Sequence, residues 1–153
     1  MTPAAYRDQI SPGPVPGAQA SGWIGFDLDG TLARYDGWRG DADIGRPIPA
    51  ACLLAKQLIA AGARLRIMTA RVSRAHHTAE EILANTVFIQ DWTEVFLGVR
   101  LPVTAEKDML MQALYDDRAI PLEFNTGRLG VIEYVEIGVE SGVEVLSGGA
   151  SHR

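Results

Sequence analysis

The sequence predicts an α/β domain built on a central parallel sheet covered by helices on both faces. Three observations lead there. Between Trp23 and Thr104, short apolar runs alternate with helical patterns in the order strand, helix, strand, helix, strand, and strands joined through helices pair in parallel. The chain has 153 residues, 47% of them hydrophobic, enough to bury roughly two-thirds of the unfolded surface around one core. Its single cysteine, Cys52, excludes an internal disulfide framework and any multi-cysteine zinc site.

Residues 1–22 carry four prolines and three glycines with few large apolar side chains. Burial cannot offset the ordering entropy of such a stretch, so a disordered or loosely docked arm is expected. WIGFDL (23–28) is an apolar run ending at the turn-former Gly30, a buried strand. A polar, Gly-rich loop follows over 33–47. Pro49 opens a helix in which Leu54, Leu58 and Ala61 share a face and Gly62 supplies the stop. RLRIMT (64–69) alternates as a second strand. From about Ser73 to Phe96 the spacing is helical, with Ser73 the expected N-cap and Gly98 the expected stop. Trp92 and Phe96, four apart, are expected in the core, as is Cys52. LPVT (101–104) is a third, short strand, and MLMQALY (109–115) reads as a helical turn leading into a fourth. The β-branched stretch 131–146 favours a strand or hairpin within a C-terminal extension, 128–153.

Charge and hydropathy narrow the function. The net charge is -5, whereas a passive binder of nucleic-acid backbone is more often basic. No run of about 18 apolar residues marks a membrane span, and the start MTPAAYRDQISPGPVPG has no apolar signal core. A cytoplasmic protein whose partner is small, or met through a local site, is the expectation.

In parallel α/β sheets, ligands bind beyond the carboxyl ends of the strands. Four polar signals fall there: Asp27-Leu28-Asp29-Gly30-Thr31, Thr69, Lys107 and Asp116-Asp117. Four carboxylates in a partly buried cleft repel and cannot all stay ionised. A cation resolves this, and an all-oxygen shell suits Mg²⁺. Asp27 and Asp29 lie two residues apart where strand becomes loop, so one can face a metal while the other reaches a reacting group. Gly30 permits a sharp turn and close approach of a ligand. Thr69 and Lys107 supply the hydroxyl and ammonium that an anionic phosphoryl group requires. Taken singly, each signal has a bland reading as a turn or a solvated side chain. Their joint placement, in this order, points to one site.

FDLDGTL (26–32), IMTAR (67–71), Lys107 and LYDDRA (114–119) resemble, in order, the four motifs of the haloacid dehalogenase-like superfamily of phosphohydrolases. The resemblance runs from Trp23 to Gly127 and looks closest to a small-phosphatase-like subgroup. The Asp-Asp-Arg ending is similar to that of polynucleotide kinase phosphatase domains. It implies a catalytic domain over 23–127 with a Rossmann-like three-layer sandwich. It also implies a Mg²⁺-dependent phosphatase working through an aspartyl-phosphate. Asp27 would be the nucleophile and Asp29 the general acid and base. Mg²⁺ would sit on the Asp27 carboxylate, the Asp29 carbonyl, and Asp116 or Asp117. Thr69, Lys107 and backbone N–H groups near Leu28 would hold the phosphoryl oxygens, with Gly30 and Ala70 among the substrate contacts. Two departures stand out. Nine positions separate Lys107 from Asp116, short for the usual intervening helix. The loop after the first motif is also too short for a folded cap domain, so an open site is expected.

An open site suits a nucleotide, a polynucleotide end or a small phosphorylated metabolite. Tyr35 or Trp38 could stack on a base or sugar, and Arg34 or Arg39 could pair with a second phosphate; Trp38 could equally pack the loop onto the core. Arg71 and Arg118 either bind substrate or brace the carboxylates. His76 and His77 read as solvated. Two other functions fit the same residues, a phosphotransferase and a catalytically weak binding or assembly module. An exposed strand edge in the C-terminal segment would allow a homo-oligomer.

Overall fold

The computed structural model describes residues 22–130. The chain divides into two compact units, Met1–Ile120 and Pro121–Arg153. The expected N-terminal arm, except Gly22, and the expected strand or hairpin over 131–146 lie outside the described residues.

In the first unit, β1 (Trp23–Phe26), β2 (Leu65–Met68), β3 (Val103–Thr104) and β4 (Met111–Tyr115) form one sheet in the order β3-β2-β1-β4. Every pairing is parallel. This is the predicted parallel α/β sheet; the expected cover of helices on both faces is not seen among the described residues. β1 is central and buried along its whole length, as its unbroken apolar run requires. Helices α1 (Pro49–Ala60) and α2 (Ala79–Leu97) connect the strands. Pro at the first position of α1 costs no hydrogen bond, since that N–H has no partner inside the helix.

The start of α2 differs from expectation. Ser73 closes a single 3₁₀ turn, Ala70–Val72, instead of opening the helix. Thr78 is the N-cap: its side chain accepts from the Glu81 N–H, and the Glu81 carboxylate accepts from the Thr78 N–H. Two satisfied donors at Thr78 outweigh a lone serine. Gly98 ends α2 with φ 81°, as expected. The head of 109–115 is a turn, as expected: Met109 and Leu110 form it and the Met111 N–H closes it onto the Asp108 carbonyl. From Met111, which pairs beside Trp23, the segment runs as β4.

Ile24 and Phe26 of β1, Leu65 and Ile67 of β2, Cys52, Ala55 and Leu58 of α1, and Ile89, Trp92 and Leu97 of α2 form one buried core. The two helices therefore share one face of the sheet. On the other face, Arg66 lies over the Trp23 ring, 4.7 Å from its centroid, and both residues bond Asp108. Among the described residues no helix covers that face. In the second unit, a Leu122–Leu129 bridge and the Glu123 N–H to Arg128 carbonyl bond close a tight turn.

Candidate active site

The sheet order fixes the site. β4 lies beside β1 with Phe26 opposite Tyr115, and the two rings stack at 4.5 Å. The residues that follow, Asp27 and Asp116-Asp117, therefore leave the sheet side by side. Carboxylate oxygens of Asp27, Asp116 and Asp117 lie within 4.8 Å of one another. Burial, then a hydrogen bond shared with Asp117, pushes the Asp27 carboxyl from 3.8 up to about 7. Burial also opposes ionisation of Asp117, but the hydrogen bonds from Asp27 and Thr31 outweigh it and hold that carboxyl below its usual value. Of the two carboxyls, Asp27 is therefore the one that keeps its proton to higher pH.

The turn after β1 is tight. The Leu28 carbonyl accepts from the N–H groups of Thr31, Leu32 and Ala33. Gly30 adopts φ 85°, and a Cβ on it would stand 2.8 Å from an Asp117 oxygen. Both facts require glycine. Thr31, which the sequence marks only as the end of the first polar signal, ties the two acidic segments together. Its hydroxyl donates to Asp117 Oδ1 at 3.0 Å and accepts from the Asp117 N–H at 3.1 Å. The available signal was its place directly after Asp-X-Asp-Gly.

Arg71 is the most committed side chain in the site. Its Nε and Nη2 donate to the two oxygens of Asp29 at 2.7 and 2.9 Å. Its remaining N–H groups reach the carbonyls of Gly40, Asp41 and Asp43. A guanidinium has five N–H donors, and all five are engaged. Arg71 is only 4% exposed, and its own carbonyl accepts from the buried Asn85. Of its two sequence readings, bracing a carboxylate is the one this geometry describes. The Thr69 hydroxyl caps the 3₁₀ turn by accepting from the Arg71 N–H, which aims Arg71 at Asp29.

A cleft of about 660 Å³ opens over these groups. Asp27, Asp29, Thr69, Ala70, Arg71, Asp116 and Arg118 line it, as do Tyr35 and Trp38 from the loop. So do His76 and His77; His76 is exposed, as a solvated side chain should be, and His77 is partly buried. The Arg118 N–H closes a turn onto Asp116 Oδ1 at 2.7 Å. Lys107 is exposed and is not part of the cleft wall. Arg34 and Arg39 are also outside it, in exposed ion pairs with Asp36 and Asp43.

Comparison with known proteins gives no match to this chain among family models, curated proteins or solved structures.

Proposed function

We propose that the chain is a Mg²⁺-dependent phosphomonoester hydrolase of the haloacid dehalogenase-like type, with Asp27 as nucleophile. The observation that carries this reading is the convergence of Asp27, Asp116 and Asp117 at the end of adjacent parallel strands, beside Asp29 and Thr69. The finer arrangement, a Rossmann-like three-layer sandwich, belongs to the same proposal.

The residues fit a hard divalent cation. Three carboxylates offer oxygen donors only; burial is the main cause of the raised proton affinity of Asp27, and the hydrogen bond to Asp117 and the charges of Asp116 and Asp117 add to it. Asp27, the Asp29 carbonyl, and Asp116 or Asp117 would hold Mg²⁺, which would neutralise charge between nucleophile and phosphate. In the first step an Asp27 oxygen bonds to phosphorus, the bond to the ester oxygen breaks, and Asp29 protonates the departing alcohol. In the second, water attacks phosphorus, Asp29 takes its proton, and Asp27 is released. Both Asp29 oxygens accept from Arg71, so the proton is carried on an oxygen that Arg71 lets go. Thr69 and Arg118 serve the phosphoryl oxygens, and Lys107 contributes only if its loop moves inward.

Hydrolysis of a panel of phosphomonoesters, with and without Mg²⁺ and beside Asp27→Asn, tests the reading. Metal-dependent turnover lost in the variant supports it. Activity that survives Asp27→Asn rules it out, and phosphoryl transfer to added alcohols in place of water would mark a phosphotransferase.

A further inference from the structure

We infer that the outer wall of the cleft, Trp38 with Tyr35 beside it, is a stacking subsite for the base of a nucleoside monophosphate, free or at a polynucleotide end. This rests on the phosphatase reading and supplies the alcohol that reading leaves open.

Trp38 lines the cleft and is 53% exposed, while the Arg71 guanidinium lies 4.8 Å from its ring centroid. An indole whose task was to pin the loop onto the core would be buried. The loop is pinned by other groups: Ile44 packs against the core, and the Trp92 indole N–H donates to the Gly45 carbonyl at 2.9 Å. Trp38 is thus free of that duty. It is also held in place, because Arg71 stays bonded to the carbonyls of Gly40, Asp41 and Asp43 even when one of its bonds to Asp29 opens. A fixed aromatic face open to solvent is what base stacking needs.

The spacing selects the ligand. The Arg71 guanidinium, bonded to Asp29, covers one face of the Trp38 ring, so a base stacks on the other face, with guanidinium and indole between it and Asp29, and must reach a phosphoryl group at Asp27 through a spacer. A nucleoside has its sugar as that spacer. An aryl phosphate, with the ring directly on the ester oxygen, does not. The volume of the cleft lies within the range of small-molecule sites, and His76 and His77 offer polar atoms to sugar or base edges.

The test compares adenosine 5′- and 3′-monophosphate with ribose 5-phosphate, which keeps the sugar and lacks the base, using the full chain and Mg²⁺. Stacking predicts that kcat/KM favours the nucleotide by roughly tenfold or more. Trp38→Ala should bring that ratio to about one, and Trp38→Phe should keep most of it. Equal turnover of nucleotide and ribose phosphate by the unaltered chain overturns the subsite and leaves the phosphatase standing. If neither is hydrolysed, equilibrium dialysis decides: nucleotide binding that depends on Trp38 upholds the subsite against the phosphatase, and binding without preference overturns it. A phosphorylated oligonucleotide in the same series separates a polynucleotide end from a free nucleotide.

Discussion

At Gly30, backbone strain and site geometry meet in one residue. Gly30→Ala places a Cβ against Asp117 at a left-handed φ, where a side chain costs roughly 1–2 kcal/mol. The variant should lose about that much in chemical denaturation and bind Mg²⁺ more weakly. Arg71→Met should cost more, about 3–5 kcal/mol, because Asp29 and the loop carbonyls lose their donors together; denaturation of the metal-free protein measures it. Asp27 gives a pH signature. Its carboxyl is raised from 3.8 to about 7 in the folded chain, so the native state keeps a proton that the unfolded state has lost. Stability in chelator should therefore fall as pH rises from about 4 to about 7. Melting curves across that window should show the slope, and Asp27→Asn should remove it. The carboxylates of the site were legible in the sequence because their chemistry lies in residue type and chain order. The role of Arg71 was not, because it depends on carbonyls from Gly40, Asp41 and Asp43, and carbonyls leave no trace in residue identity.

Helix α2 shows both the reach and the limit of periodicity. Its apolar spacing and Gly98 stop were plain, but the cap, expected at Ser73, lies at Thr78. The glutamate three residues after Thr78 was the deciding signal, and it was visible in the sequence. Thr78→Ala should cost about 1 kcal/mol in denaturation, while Ser73→Ala, whose hydroxyl only accepts from the exposed Ala75 N–H, should cost less than half of that. The segment between Lys107 and β4 is the opposite case. Nine positions were too few for a full helix: a single turn at Met109–Leu110 leads straight into β4, which pairs with β1 from Met111 on. That short connection leaves Lys107 outside the cleft wall, where a longer one could have turned it inward.

Across the whole first unit, strand order converts a linear list of motifs into a site. The sequence specified alternation and hence parallel pairing, but not that β4 would lie beside β1 and bring Asp116 and Asp117 to Asp27. The expectation of helices on both faces is not met among the described residues, where both helices share one face, since amphipathicity says that a helix needs a partner and not on which side. A cation held by these three carboxylates should raise the melting temperature with Mg²⁺ concentration. The effect should vanish in an Asp27→Asn, Asp116→Asn double variant.

The most direct test is intact-mass and peptide mapping of the chain after acid quench during turnover of a phosphomonoester with Mg²⁺. One phosphoryl group is expected on the peptide containing Asp27, dependent on metal and absent from Asp27→Asn. Sustained hydrolysis with no adduct on that peptide, unchanged by Asp27→Asn, would contradict it.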